Sequence, residues 1–370
     1  MTKAPPFTSI VQNLPSTIPF VPPEAIERRM GHPFKLRLGA NESAFGISPL
    51  ARQAMREAVD RVAWYNDPES YELRSELARI HNVTMDQVIV GSGIDDLLGL
   101  VAHTFIEVGD TAVTSLGAYP TFNYFIAAFG GQLSTVPYRD DRNDVAALID
   151  RAKQTGARLL YLANPDNPTG SWHNASDVQN AIEQLPPETL FILDEAYAEF
   201  APAIPEIDPN DPRVIRFRTF SKVHGMAGAR IGYGITARET VAAFNKIRVQ
   251  FGVNVVAQAG ALASLKDRDF IQSVVRDVAA GREDYNNLAR ELDLTPLPSA
   301  TNFVAIDMGS FERASGTVEA LAARDVFIRM PGVSPLNRCI RVTVGLPADR
   351  AVFAEVLKEV VSAASYKQRA

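Results

Sequence analysis

Between residues 88 and 194, short apolar runs alternate with amphipathic segments, and this alternation limits the fold more than any other feature of the chain. QVIVGSG, TAVTSL, QLSTVPY, RLLYLANP and TLFILDEAY read as strands, while DDLLGLVAHTFIEVG, PTFNYFIAAFGG, NDVAALIDRAKQTG and SDVQNAIEQLP read as the helices between them. Short apolar strands joined by helices imply an α/β fold with a mostly parallel central sheet and helices on both faces. VIRFRTFSK and the return run ARIGYGIT extend that sheet. Ligands of such sheets lie beyond the carboxyl ends of the strands. The informative loops therefore follow Val90, Leu116, Ala163, Leu193 and Phe220.

On either side of this region the pattern changes. Residues 1–34 are proline-rich and lack periodicity, which predicts an extended arm. LRLGANESAFGISP reads as a strand and a polar turn. Ser48 then caps a helix, LARQAMREAVDRVAWY, with Pro49 at its first position, and YELRSELARIHN forms the next helix. From about Asn254 a long helical tract precedes TNFVAIDM, GTVEALAAR, DVFIRM, CIRVTVG and a final helix, an α+β unit. A length of 370 residues exceeds what one hydrophobic core serves. The expected division is an arm (1–34), a large domain (35–257) and a smaller C-terminal domain (258–370).

Charge and cysteine content exclude several classes. The net charge is −6 and no Lys/Arg block occurs, which argues against a nucleic-acid surface. The single cysteine, Cys339, rules out an internal disulfide framework and a CxxC metal site, and fits a reducing cytosol. The prolines near the start occupy the place of a signal peptide's apolar core. No run approaches the ~20 apolar residues of a spanning helix, so the expectation is a cytoplasmic protein without membrane contact. His32, His81, His103, His173 and His224 are widely spread and HExxH is absent, so no metal is expected.

Each strand-end loop carries a chemical possibility beside an ordinary structural one. Gly91-Ser92-Gly93-Ile94-Asp95-Asp96 enters a helix, whose free N–H groups and dipole suit a phosphate. As a dinucleotide fingerprint it fails, because Asp96 stands where GxGxxG needs glycine. Tyr119 could stack on a flat ring or simply pack. The prolines and glycine of NPDNPTG (164–170) fix a loop from which an Asn amide presents a donor. Asp194 ends an apolar strand, and a buried carboxylate there needs a cation such as a protonated pyridine nitrogen. Glu195 beside it would point to the opposite face. In TFSKVHGMAGARIGYG, Ser221, Lys222 and Arg230 bring a hydroxyl, an amine and a guanidinium to one glycine-bent turn around Gly225 and Gly228. That trio suits a phosphorylated aldehyde, the amine forming an imine and the others holding phosphate; a tight turn with a surface lysine is the alternative.

Taken together, NPDNPTG, DEAY and SKVHGMAGARIGY resemble the signature of the fold-type I pyridoxal-phosphate (PLP) aminotransferases. Asn167, Asp194, Lys222 and Arg230 follow one another at intervals of 27, 28 and 8 residues. Within that group the chain is most similar to the histidinol-phosphate aminotransferases, whose LNANENPFGPSP motif resembles LGANESAFGISP; YNDPESYELR and IRVTVG also match. The resemblance implies that Lys222 links covalently to the cofactor and moves a proton, while Asp194 pairs with the pyridine nitrogen. It implies that Asn167 and Tyr197 bond the ring hydroxyl and that Tyr119 stacks on the ring. Gly93, Ile94, Asp95, Ser221 and Arg230 would hold the phosphate, joined by Tyr65 from the second subunit of a homodimer. Arg341 would bind a substrate α-carboxylate, with Arg329 as a second anion site and Asn41 and Phe20 lining the substrate pocket. An amino donor and a 2-oxo acid such as 2-oxoglutarate would be the reactants.

Two positions depart from the family pattern. Ile94 replaces a small or polar residue, where the backbone N–H can still serve. Phe20, in FVPP, replaces a tyrosine whose hydroxyl helps bind the substrate phosphate. That change predicts a poorer fit for histidinol phosphate and opens the pocket to aromatic or other amino acids. A threonine-phosphate-decarboxylase-like lyase would use the same cofactor residues and is the alternative reaction. A cofactor-binding regulator would need a basic DNA-binding segment in front, and residues 1–34 contain none.

Overall fold

The structure is a computed structural model that describes residues 5–15 and 21–369, with side chains described up to residue 363. Its strands are β1 (Leu36–Arg37), β2 (Val88–Gly91), β3 (Thr111–Ser115), β4 (Gln132–Val136), β5 (Leu159–Ala163), β6 (Leu190–Asp194), β7 (Val214–Thr219), β8 (Gly232–Thr236), β9 (Thr295–Pro296), β10 (Phe303–Asp307), β11 (Val326–Phe327) and β12 (Cys339–Thr343). Seven of them form the central sheet, in the order β2-β8-β7-β6-β5-β3-β4. Only β8 runs against its neighbours there.

Strands β5 and β6 are buried along their whole length, as continuous apolar runs in the middle of a covered sheet should be. Alternate residues supply the two cores. Tyr161, Ile192 and Phe217 pack with Leu97, Leu98, Phe122 and Ile126 of the helices on one face. Leu160, Leu162, Phe191 and Leu193 pack with Leu148, Ile149, Val178 and Ala181 on the other. The helices start and stop on local chemistry. Ser48 accepts a hydrogen bond from Ala51 N–H, with Pro49 in the first turn, and Asp144 accepts one from Ala147 N–H.

The second sheet, β12-β10-β9, is antiparallel. Its core draws on Val274, Val278 and Tyr285 of helix Arg268–Glu291 and on Phe353 and Leu357 of helix Pro347–Arg369. β1 pairs in parallel with β11. Beyond β1, Leu38 donates to Phe327 and accepts from Thr343, so the segment leading to Asn41 is tied to the C-terminal part of the chain.

Three sequence expectations need correction. The arm is not wholly extended: it contains helices Ser9–Asn13 and Pro23–Met30, the second begun by Pro23 and closed by Gly31 at φ 82°. The helix expected to run to residue 65 stops at Ala58, with a 3₁₀ turn over Val59–Arg61. Beyond Ala58 its apolar residues Val59, Val62, Trp64 and Tyr65 face solvent, so no core rewards continuation. The tract after Asn254 is two helices, Val255–Lys266 and Arg268–Glu291, separated by Asp267, whose carboxylate caps the second.

Candidate active site

Residues from remote parts of the chain meet beyond the carboxyl ends of β5, β6 and β7. Asn41, in the left-handed conformation (φ 55°) and almost fully buried, is their meeting point. Its carbonyl accepts from Lys222 Nζ at 3.1 Å and from Asn302 Nδ2 at 3.1 Å. Its side-chain amide donates to the Tyr197 hydroxyl at 2.9 Å. Lys222 Nζ stands 5.4 Å from the centre of the Tyr197 ring. Lys222 can sit there because Gly225, at φ 69°, runs so close to the preceding loop that a Cβ would lie 1.9 Å from the Gly46 carbonyl oxygen. Gly228 has no such need, with nothing within 4 Å of its Cβ position. Of the two glycines singled out in the sequence, only Gly225 is required by the backbone.

Asp194 ends β6 in full burial. Its carboxylate accepts from the Tyr161 hydroxyl at 2.7 Å and from Ala196 N–H at 3.0 Å. Burial pushes its carboxyl up to about 6, against the pull of those two hydrogen bonds and of the Lys222 charge. A buried carboxylate in this state gains by meeting a cation. Glu195 lies on the opposite face, as its position next to Asp194 requires. It is ion-paired with Arg216 and Arg218 at 3.0–3.1 Å, which removes it from acid–base work at this site.

A second cluster surrounds the start of helix Ile94–Phe105. Gly93 precedes that helix at φ 96°, and a Cβ there would come within 2.6 Å of the Arg230 guanidinium. Glycine thus lets a cation approach the free N–H groups of the helix start, a cradle shaped for phosphate. Ile94 itself is buried in the core. Asp95 lies between Arg230, at 3.6 Å, and the Tyr119 hydroxyl, which donates to it at 3.1 Å. Ser221 is buried and accepts from Thr219 at 2.9 Å. Arg230, expected to begin the strand, precedes β8 in a left-handed conformation (φ 55°).

Arg341, on β12 of the second sheet, is half-buried and faces these groups. It donates to Asn167 Oδ1 at 2.5 Å and to the Gly39 carbonyl at 3.3 Å, while its Nε is buried without a partner. Burial draws its guanidinium down to about 10. An orphaned buried donor on a cation suits an incoming carboxylate. Arg329 is joined to Arg341 through backbone hydrogen bonds, and its side chain donates to the Val21 carbonyl at 3.0 Å. Tyr65 lies elsewhere on the surface, 84% exposed, with its ring centre 4.8 Å from that of Phe251. Phe20 falls outside the described residues.

Two side chains that matter here went unread in the sequence. In RLLYLANP, Tyr161 reads as one more strand residue. Asp166, in NPDNPTG, is fully buried and accepts from Tyr138 at 3.0 Å, Asn143 at 3.1 Å, and the backbone and hydroxyl of Thr169 at 3.1 and 2.7 Å. It fixes the loop that presents Asn167. The only legible signal for either was a polar group set in an apolar or proline-bound context.

The donors and acceptors present therefore fit a phosphorylated pyridine aldehyde: an amine, a buried carboxylate for a ring cation, a phosphate cradle and a half-buried guanidinium with an unpartnered Nε. Among the described residues, no helix is long and apolar enough to cross a membrane, and no three His, Cys, Asp or Glu side chains are grouped to hold a metal. Comparison with known proteins agrees with the fit. The family profile "Aminotransferase class I and II" matches residues 33–357. Histidinol-phosphate aminotransferase 2 of Carboxydothermus hydrogenoformans is 33% identical over 358 residues, 95% of this chain and 98% of that protein. The crystal structure of histidinol-phosphate aminotransferase from Sinorhizobium meliloti in complex with pyridoxal-5'-phosphate superimposes with a TM-score of 0.93 at 45% identity, covering 96% of this chain and 98% of that one. L-threonine-O-3-phosphate decarboxylase from Porphyromonas gingivalis shares the fold alone, at 19% identity and a TM-score of 0.75, over 88% of this chain and 99% of that one. The chain belongs to the class I and II aminotransferases, within their histidinol-phosphate aminotransferase group, and is a PLP-dependent transaminase with the fold-type I architecture.

Proposed function

We propose that the chain moves an amino group between an amino acid or histidinol phosphate and a 2-oxo acid such as 2-oxoglutarate, with PLP attached at Lys222. The observation that carries this reading is the convergence of Lys222 and Arg341: one donates to Asn41 and the other to Gly39, two residues apart in a single buried segment. Bound PLP supplies an electron-withdrawing pyridinium ring that makes the substrate's Cα proton acidic. Lys222 Nζ would carry that proton between the substrate's Cα and the cofactor's C4′. Asp194 would stay ionised toward the ring nitrogen, and Asn167 and the Tyr197 hydroxyl would hold the ring oxygen. Tyr119 would cover the ring face. The N–H groups of Gly93, Ile94 and Asp95 would hold the phosphate with Ser221 and Arg230. Arg341 takes the substrate α-carboxylate through its free Nε and terminal nitrogens, beside Asn41. Arg329 serves a second anion, and Phe20 in place of a tyrosine weakens, without abolishing, the hold on a substrate phosphate.

On the same reading the working form is a cytoplasmic homodimer in which Tyr65 reaches the phosphate of a second copy. Its support is the exposure of Val62, Trp64 and Tyr65 in one segment, near a groove of about 990 Å³ lined by Leu50, Gln53, Tyr71 and Leu262. The chain divides into an arm (1–34), a cofactor-binding part (35–257) and a smaller part (258–370), with helix Val255–Lys266 as the joint between the last two.

One experiment tests attachment and donor together. Borohydride reduction of the PLP-loaded protein, followed by peptide mapping, should label Lys222. Prior addition of a true donor, without an acceptor, should protect that lysine, because the cofactor then leaves in its amine form. Glutamate, histidinol phosphate and aromatic amino acids are the donors to compare. A label on another lysine, or no protection by any of them, would refute the reading.

A further inference from the structure

Asp194 accepts two hydrogen bonds of different kinds. The bond from Ala196 N–H is one that almost any residue at position 196 would supply. The bond from the Tyr161 hydroxyl, at 2.7 Å, depends on that side chain. The strands dictate the meeting. β5 and β6 run parallel with Tyr161 opposite Ile192, so Asp194 lies two residues further along the same face. That diagonal offset is within reach of an aromatic side chain. Tyr161 is fully buried, and its ring stacks on Phe122 with centres 4.9 Å apart and planes 15° from parallel. Its neighbours in the strand, Leu159, Leu160, Leu162 and Ala163, are all apolar. A phenol buried in such a run is costly unless its hydroxyl is bonded, and Asp194 is the partner it has.

We propose that Tyr161 is a positioning residue for the cofactor: its hydroxyl fixes the plane of the Asp194 carboxylate and keeps it ionised toward the pyridine nitrogen. This rests on the reading of Asp194 as that nitrogen's partner. With two of its four lone-pair sites occupied by Tyr161 and Ala196, the carboxylate keeps the others for the ring cation. Among the influences opposing the upward pull of burial on Asp194, the Tyr161 hydrogen bond comes first. Loss of the hydroxyl would leave a carboxyl that is protonated more readily and free to turn.

Tyr161→Phe removes the hydroxyl and retains the stacked ring. The measurement is equilibrium binding of two ligands to the cofactor-free protein: PLP, and 1-deazapyridoxal phosphate, in which a C–H replaces the ring nitrogen. Tyr161→Phe should weaken PLP binding roughly tenfold, the scale of a hydrogen bond to a charged group, and leave the deaza analogue unchanged. A merely structural role would weaken both alike. Equal weakening of the two ligands, or no weakening of PLP, would overturn the proposal. 3-Fluorotyrosine at position 161 is a stronger donor of nearly the same shape and should shift the preference the other way, toward PLP; no shift there also counts against it. Asp194→Asn separates the two levels of the argument. It should abolish the preference for PLP over the analogue, and Tyr161→Phe added to it should change nothing further. If Asp194→Asn leaves the preference intact, the assignment of Asp194 itself fails. If Asp194→Asn abolishes it but Tyr161→Phe does not reduce it, only the role of Tyr161 fails.

Discussion

Replacing Glu195 by glutamine should destabilise the protein strongly while sparing its chemistry. The Glu195 side chain is 1% exposed and faces two guanidiniums, Arg216 and Arg218, themselves 13% and 10% exposed. Three N–H···O bonds of 3.0–3.1 Å join them. Burial alone would raise this carboxyl, but the Arg218 and Arg216 charges outweigh it and hold it below the usual carboxylate range. Removing one partner of a buried pair costs about 3–5 kcal/mol, because the remaining charges stay buried. Glutamine still offers one acceptor oxygen, and Arg218 keeps Glu199 at 3.8 Å, so the low end, ~3 kcal/mol, applies. Unfolding entropy near the midpoint is roughly 0.8 kcal/mol per kelvin for 370 residues. The expected fall in Tm is therefore about 4 °C by calorimetry. The sign of the pH dependence follows from a folded-state pKa below the unfolded one. The stabilisation is fully present above the ordinary carboxylate range and is lost as pH falls through the folded value, so the Tm gap should narrow only in acid. Turnover per folded molecule should stay within a few-fold. A Tm within 1 °C of the parent would refute the energetic reasoning, and a stable variant that has lost a hundredfold in turnover would refute the placing of Glu195 outside the chemistry.

Gly225→Ala should lower Tm by several degrees and weaken PLP binding, since its Cβ collides with the Gly46 carbonyl and its φ is 69°, three residues from Lys222. Gly228→Ala, whose Cβ meets nothing within 4 Å, should be neutral within about 0.5 kcal/mol; equal effects of the two in parallel thermal melts would contradict the geometry. In sedimentation the active species should be a dimer, and Tyr65→Phe should lower the affinity for PLP without dissociating it; a fully active monomer would rule out the shared site.

How far the sequence could be read depended on how local the physics is. Strands β2, β3, β5 and β6 were visible because each is a short, mostly apolar run between turn residues, and a covered sheet buries such runs; β4 and β7, with polar residues among their apolar ones, were legible by their place in the alternation with helices. Parity along β6 was enough to send Glu195 to the face opposite Asp194, where two arginines of β7 hold it. The loops that follow these strands were legible for the same reason, since strand ends fix where ligands gather. Helix ends were less visible. The run after Pro49 keeps a helical composition to residue 65, yet its apolar residues beyond Ala58 have nothing to pack against in the single chain. Composition cannot report a missing partner surface. The short helix Pro23–Met30 was hidden differently, because its prolines suggested extension where Pro23 in fact begins a helical turn.

The centre of the site is the least local part of all. Asn41 takes a left-handed backbone conformation and spends its one carbonyl on both Lys222 and Asn302, residues 181 and 261 positions away. Its backbone N–H and side-chain oxygen are held by the Thr343 hydroxyl, 302 positions away. No window of sequence contains these partners together. What brings them together is the tie of β1 to β11 and of the residue just beyond β1, Leu38, to both Phe327 of β11 and Thr343 at the end of β12. The amine of Lys222 is thus set by the first sheet through its strand-end turn, and by the C-terminal part through Asn41. A shift of either part against the other would move the lysine's acceptor and, through Gly39, a contact of Arg341 as well. With the roles proposed for Lys222 and Arg341, attachment of the cofactor and capture of the substrate carboxylate would share one mechanical reference, the segment from Gly39 to Asn41.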